Sequence, residues 1–272
     1  MGASAPTVLK LGGELLESAG RLADVVAAVC ALAARAPLIL VHGGGREIDA
    51  ECARRGITKV AVDGLRLTDE ATLEAVVAVL AGTINTRLVA ALGAAGVKAV
   101  GLTGADAGVA RVRKAPPHRA VDGRQVDLGR VGQPVGGDVF GLLAHLVAGG
   151  FVPVVACLGA DEGGRLYNVN ADTLASHLAI ACGADALLIG GATPGVLDRD
   201  GATIARLDLG RLDAIVADGT ASAGMVAKLA AARAAIAGGV AGVHIVDGRT
   251  PDGLVARRGT TIVAGQGTPA TG

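Results

Sequence analysis

Apolar runs of two kinds alternate along this chain. Short β-branched runs, Thr7–Leu11, Leu38–His42, Val97–Thr103, Phe151–Leu158, Ala186–Ile189 and Gly242–Val246, read as strands. Between them lie Ala- and Leu-rich stretches with helical spacing. Arg21–Arg35 is typical, with Leu22, Val25, Val26, Val29 and Leu32 on one face and Pro37 ending it. Glu47–Arg55, Asp69–Leu80 with a continuation to Leu92, Phe140–Ala148, Ala171–Cys182 and Met225–Ala237 read as helices in the same way. Strands that are apolar throughout, rather than alternating, belong to sheets buried on both faces. The pattern predicts an α/β fold, a three-layer αβα sandwich around a mainly parallel sheet. In such sheets ligands sit beyond the carboxyl ends of the strands.

Two regions break the rhythm. Lys59–Leu67 is short and polar and reads as a β-hairpin. Val109–Gly137 carries Arg111, Arg113, Lys114, Arg119, Arg124 and Arg130, with Pro116-Pro117 and the turn signal Asp122-Gly123, and reads as a hairpin insertion. Its charges are expected to face solvent rather than bind an anion.

Two strands run directly into glycines. Val8-Leu9-Lys10-Leu11-Gly12-Gly13 and Leu40-Val41-His42-Gly43-Gly44-Gly45 each lead from strand to helix. Glycine at such an elbow lets backbone N–H groups face an anion, and Lys10 adds a cation on the strand itself. Neither elbow continues as G-x-x-x-x-G-K-[ST] or as G-x-G-x-x-G, so the P-loop and dinucleotide fingerprints are both absent. Three further segments add polar chemistry. Arg66, in Asp63-Gly64-Leu65-Arg66-Leu67-Thr68-Asp69, has the planar fork that clamps a carboxylate. Asn168-Val169-Asn170-Ala171-Asp172 places Asn170 at a helix N-cap and Asp172 in the first turn, where negative charge is favoured. Gly224-Met225-Val226-Ala227-Lys228 opens a helix carrying a second lysine.

Composition narrows the function classes. The 272 residues carry 25 basic and 25 acidic side chains, so no global field favours nucleic acid or an anionic membrane. Two Phe, one Tyr and no Trp argue against base stacking. The mean hydropathy of +0.53 reflects small Ala and Val side chains, and no uninterrupted apolar run has transmembrane length. The opening residues lack the basic and apolar regions of a signal peptide. Cys30, Cys52, Cys157 and Cys182 form no C-x-x-C pair, which points to reduced thiols in a cytoplasmic protein. The five histidines show no metal-ligand spacing.

Seven segments together resemble the amino-acid kinase family, and within it the members acting on N-acetyl-L-glutamate. They are Lys10-Leu11-Gly12-Gly13, His42-Gly43-Gly44-Gly45, Asp63–Asp69, Gly101-Leu102-Thr103-Gly104-Ala105-Asp106, Tyr167–Asp172, Gly224–Lys228 and His244-Ile245-Val246-Asp247-Gly248-Arg249. They occur in the family's order over nearly the whole chain. The resemblance implies phosphoryl transfer from MgATP to the side-chain carboxylate of N-acetyl-L-glutamate, a step of arginine biosynthesis. It implies one domain over 1–272, with an acyl-amino-acid lobe to about residue 160 and a nucleotide lobe from 161.

By the same resemblance Lys10 and Lys228 are the transition-state cations and Asp172 holds both. Gly12 and Gly13 give N–H groups to phosphate, while Gly44, Gly45, Arg66 and Asn168 bind the acyl amino acid. Gly190 and Gly191, with Lys228, bind nucleotide. No protein metal site is expected, because Mg2+ rides on the ATP phosphates and water. The partners implied are the small-molecule substrate and a second copy in a homodimer. The few residues before the first strand imply a dimer without the arginine-inhibited hexameric form.

One departure stands out. Where the family carries a Ser/Thr-Asp pair, this chain has Gly191-Ala192. Two other readings remain open, the second of them on account of this departure. One is a kinase for a carrier-protein-linked aminoadipate or glutamate. The other is a non-catalytic amino-acid-binding regulator with a weakened nucleotide site.

Overall fold

The computed structural model describes residues 5–136 and 140–265. The first four residues, read for a signal peptide, and Gly137, the last residue of the basic insertion, lie outside them. Eight strands form one sheet: β1 (Thr7–Leu11), β2 (Leu38–His42), β3 (Ala99–Thr103), β4 (Val152–Ala156), β5 (Ala186–Gly191), β6 (Arg206–Asp208), β7 (Gly242–Asp247) and β8 (Gly259–Val263). Their order is β6-β8-β7-β5-β1-β2-β4-β3, and every neighbouring pair is parallel except β7 with β8. The expected α/β sandwich with a mainly parallel sheet is the observed architecture.

Nine helices accompany the sheet among the described residues: α1 (Ala19–Ala33), α2 (Gly45–Arg54), α3 (Glu70–Val77), α4 (Asn85–Ala94), α5 (Phe140–Ala148), α6 (Ala171–Ala181), α7 (Leu209–Ala217), α8 (Ala223–Ala237) and α9 (Pro251–Val255). On one side α6 packs on α8 against β1, β5 and β7; elsewhere α1 packs on α4 and α9. Every residue of β1, β2, β4 and β5 is buried, as two covered faces require. Leu, Val, Ile and Ala supply this core. Two polar side chains are buried within these central strands near their carboxyl ends: Lys10 and His42.

The registers bring the site together. Lys10 pairs with Ile189 on one side and Val41 on the other, and Leu11 pairs with Gly190 and His42. Both elbows and the end of β5 therefore lie at one level. A smaller four-stranded sheet, ordered Leu158–Ala160, Leu166–Val169, Val131–Pro134, Val112–Lys114, stands beside this edge and carries Asn168.

Several expectations need adjustment. The strand expected over Phe151–Leu158 divides after Ala156, because Cys157 turns to give its carbonyl to Val169 N–H at 3.0 Å. The basic insertion is a pair of nested hairpins rather than one. The inner joins His118–Arg119 to Gln125–Val126, and the outer joins Val112–Lys114 to Val131–Pro134 within the small sheet. Lys114 and Arg124 pair there with Asp127 and Asp122 on the exposed surface, as expected, whereas Arg130 is half-buried, pairing with Glu70 and lying over the Tyr167 ring. The helix read from Asp69 runs from Glu70 to Ala94 through a π-helical stretch, Ala78–Ile84. By length and composition this is a span apolar enough to cross a membrane. Glu74, Asn85 and Arg87 interrupt it in sequence, and its inner face packs on β3 and β4.

His42 is fully buried at the end of β2. Asn85 Nδ2 lies 3.1 Å from its Nε2 and also donates to the Val154 carbonyl at 2.9 Å. The Nε2 nitrogen is therefore the acceptor, so the proton sits on Nδ1, facing the Gly43 carbonyl at 3.4 Å. Burial holds this ring neutral and lowers its pKa from 6.5 to about 4. His244 is likewise lowered to about 4, by burial and by the charge of Arg257. The unfolded rings take protons near pH 6.5 and the folded ones resist, so stability is full above that pH and lost as pH falls toward 4. Denaturant unfolding across this range should show the loss. His42 should account for about 3 kcal/mol of it, and a His42→Gln variant should show a correspondingly flatter profile.

Candidate active site

Each glycine elbow is anchored by backbone before it offers anything to a ligand. Gly12 N–H donates to the Gly190 carbonyl at 3.1 Å, and Gly43 N–H to the Leu11 carbonyl at 3.2 Å. Gly12, expected to serve phosphate through its N–H, instead ties β1 to β5. The exposed donors begin at Gly13, which opens a short 3-10 turn over Gly13–Leu15, and at Gly45, which opens α2. Neither turn has a side-chain cap among the described residues. By contrast α3 is capped by Asp69, and α6 by Asn170 through the N–H groups of Asp172 and Thr173. First-turn N–H groups without partners are an anion cradle.

The two elbows meet backbone to backbone. A Cβ on Gly13 would lie 2.8 Å from Gly44 Cα. A Cβ on Gly44 would lie 2.2 Å from Ile84 Cδ1 and 3.0 Å from Leu80 Cδ2, both from the π-helical stretch. That irregular turn swings Ile84 under the second elbow and Asn85 onto His42. Arg87, one turn on, reaches the Glu47 carboxylate at 2.6 Å and the Leu16 carbonyl at 2.9 Å, fastening both elbows to the same helix.

Lys10 and Asp172 form a buried ion pair at 2.9 Å, with side chains 7% and 10% exposed. The Asn170 cap places Asp172 in the first turn of α6, where the helix N-terminus and Lys10 both favour its charge. Lys228 enters from α8. Its Nζ lies 2.9 Å from the point a Cβ on Gly191 would occupy. Burial lowers its pKa and the Lys10 charge lowers it further, while Asp172 and Glu14 oppose that shift. Two lysines that repel each other across one carboxylate are arranged for an anionic ligand. The bare Cα of Gly191 leaves that space to Lys228.

Beside the elbows lies a cavity of about 240 Å³, lined by Gly44, Gly45, Arg66, Asn168 and Asn170 among others. The hairpin Ala61–Val62 with Leu65–Arg66 presents Arg66. Its Asp63-Gly64 turn has φ of 49° and 80°, the geometry that two-residue hairpins favour. Arg66 Nη2 donates to the Gly45 carbonyl at 3.1 Å and to Asp49, while its buried Nη1 has no partner among the described residues. Asn168 Nδ2 donates to Thr68 Oγ1 at 3.3 Å.

The structure thus gathers Lys10, Asp172, Lys228, Gly13, Gly190 and Gly191 at the strand ends, and Gly44, Gly45, Arg66 and Asn168 around the adjoining cavity. Glu14 also stands here, its carboxylate on Ala192 N–H at 3.2 Å. Sequence reasoning passed over it, although an acid directly after Lys10-Leu11-Gly12-Gly13 is a legible signal. No three His, Cys, Asp or Glu side chains gather into a metal-holding group among the described residues.

The amino acid kinase family matches residues 5–247, and the chain belongs to that family. Curated relatives include acetylglutamate kinases. The one from Sorangium cellulosum is 42% identical over 94% of this chain and 91% of its own length. That from Stutzerimonas stutzeri is 37% identical over 91% and 84%, and that from Acidiphilium cryptum 44% identical over 78% and 72%. Among solved structures, N-acetylglutamate synthase from Neisseria gonorrhoeae, complexed with coenzyme A and N-acetyl-glutamate, superposes with a TM-score of 0.82 at 26% identity. This chain spans 60% of that synthase. Carbamate kinase from Giardia lamblia, bound to AMP-PNP, shares the fold at a TM-score of 0.69 and 16% identity.

The elbow contact makes a local prediction. Gly44→Ala should destabilise the protein by about 1–3 kcal/mol, because the new methyl has no room against Ile84. Gly45→Ala meets no atom within 4 Å and should unfold like wild type. Chemical denaturation of the two variants side by side checks this.

Proposed function

We propose that this protein phosphorylates the side-chain carboxylate of free N-acetyl-L-glutamate with MgATP, giving N-acetyl-L-glutamyl 5-phosphate and ADP in arginine biosynthesis. The observation carrying this reading is the buried Lys10–Asp172 pair with Lys228 beside it, set between two glycine elbows and a cavity holding an arginine N–H, elbows and N–H alike without a side-chain partner among the described residues. The named relatives are acetylglutamate kinases over most of their length, which supports the same substrate.

A carboxylate needs no general base, since it is already a nucleophile. The obstacle is bringing two anions together and stabilising charge on the transferring group. Arg66 and Asn168 hold the α-carboxylate and acyl-amino end, with Gly44 and Gly45 donating backbone N–H groups. The side-chain carboxylate then points at the strand ends. One of its oxygens attacks the γ-phosphorus while the bond from that phosphorus to the β-bridging oxygen breaks, and ADP leaves with the electron pair. Lys10 neutralises charge on the transferring phosphoryl group and Lys228 on the β,γ side. Asp172 holds the lysine ammoniums in place, and Gly13 adds a backbone donor. Gly190 and Gly191 let the nucleotide approach β5. Mg2+ enters as part of the substrate, carried on phosphate oxygens and water. In this reading the lobe to about residue 160 supplies most of the acyl-amino-acid site and residues 161–272 most of the nucleotide site. The working form is a cytoplasmic homodimer, testable by light scattering at twice the chain mass.

A coupled ADP-release assay with N-acetylglutamate tests the reading. Lys10→Ala and Asp172→Asn should each lower kcat by about 10²–10³-fold. Rates like wild type would refute their roles. Arg66→Ala should raise KM for N-acetylglutamate by about 10- to 100-fold and leave KM for ATP unchanged. Turnover only with a carrier-protein-linked substrate would replace the free amino acid.

A further inference from the structure

Glu14 follows the first elbow and has no part in the roles above. Its backbone is held, because Arg21 Nη1 donates to its carbonyl at 2.6 Å. Its side chain folds back over the elbow. A Cβ on Gly12 would lie 2.4 and 2.5 Å from the two carboxylate oxygens, so the carboxylate rests on a bare Cα. From there Oε1 accepts the Ala192 N–H at 3.2 Å. Glu14 Oε1 and Lys228 Nζ lie 3.3 and 2.9 Å from the point a Gly191 Cβ would occupy, so acid and ammonium crowd the same glycine.

A carboxylate held by a strand-end N–H beside a lysine has the surroundings a phosphate oxygen takes. Two anions cannot share those donors. We propose that Glu14 is a resident anion in the nucleotide-phosphate seat, a competitor that the incoming phosphates displace and that sets how tightly this chain holds nucleotide. The inference rests on reading this edge as that seat. Because Arg21 fixes the backbone, displacement is a side-chain rotation that leaves β1 and the turn in place. It frees the Ala192 N–H and takes a negative charge away from the space beside the Lys228 ammonium.

Titration calorimetry with ADP, AMP-PNP and inorganic pyrophosphate, each with Mg2+ and with chelator, compares wild type with Glu14→Ala and Glu14→Gln. Loss of a hydrogen bond to a charged acceptor sets the expected gain at about tenfold tighter binding for Glu14→Ala. Glu14→Gln should gain less, because its carbonyl keeps the acceptor without the charge. Both gains should persist without Mg2+. Unchanged or weaker binding in the variants overturns the proposal. Weakening confined to Mg2+ also overturns it, and makes Glu14 a support for the metal–nucleotide. Nucleotide bound by wild type but no tighter by the variants sinks the role of Glu14 alone, with turnover of N-acetylglutamate still testing the functional reading. Binding by the variants but not by wild type supports the proposal, and binding by none sinks both readings.

Discussion

A single charge in the wrong place organises this molecule. Lys10 lies on a strand whose every residue is buried, at the centre of the sheet. An ammonium there persists only with a partner, and removing either member of such a pair costs about 3–5 kcal/mol. Asp172 is that partner, and its position is set far from β1 in sequence. The small sheet brings Asn168 and Val169 to the strand ends, Asn170 caps α6, and the first turn of α6 presents the carboxylate to Lys10. The sheet, the cap and the ion pair are therefore one construction. Its result is an ammonium held in place at the carboxyl edge of the sheet by a carboxylate from another element.

The elbows depend on the same economy of space. Gly13 and Gly44 touch through bare backbone, and the second elbow rests on Ile84. The π-helical stretch makes this possible by rotating Ile84 and Asn85 inward together. Asn85 then satisfies His42 and the Val154 carbonyl, so the buried polar groups beneath the elbow are bonded rather than charged. The irregular turn and the neutral histidine are both consequences of bringing two strand-to-helix turns into contact.

The end of β5 is built differently. Gly191 brings no side chain there, and Lys228 from α8 and Glu14 from the first elbow approach the place where one would stand, Glu14 also accepting the Ala192 N–H. The electrostatics there are balanced by parts distant in sequence. The Lys228 ammonium feels burial and Lys10 on one hand and Asp172 and Glu14 on the other.

Much of this was legible in the chain. Uninterrupted apolar strands fixed the sandwich, because burial on both faces leaves no alternating pattern. The glycines after Leu11 and His42 marked the elbows, because only bare backbone opens an anion cradle. Arg66 stood out for the planar fork that clamps a carboxylate, and Asp172 for its place after the Asn170 cap. Other features were marked locally but not by apolar periodicity. The helices Leu209–Ala217 and Pro251–Val255 open on the caps Asp208 and Thr250, and Gly259–Val263 is a short β-branched run, while Arg206–Asp208 is a strand of three residues fixed by pairing with it. Gly12 looked like a phosphate donor, but its N–H closes β1 on β5, a bond that depends on strand register. The contact of Glu14 with Ala192 spans 178 positions and exists only once β1 and β5 lie side by side. Periodicity and turn chemistry determined which elements form and which residues end them. Tertiary packing decided which backbone donors stay free and which charges share a site, because both depend on neighbours that the chain order does not bring together.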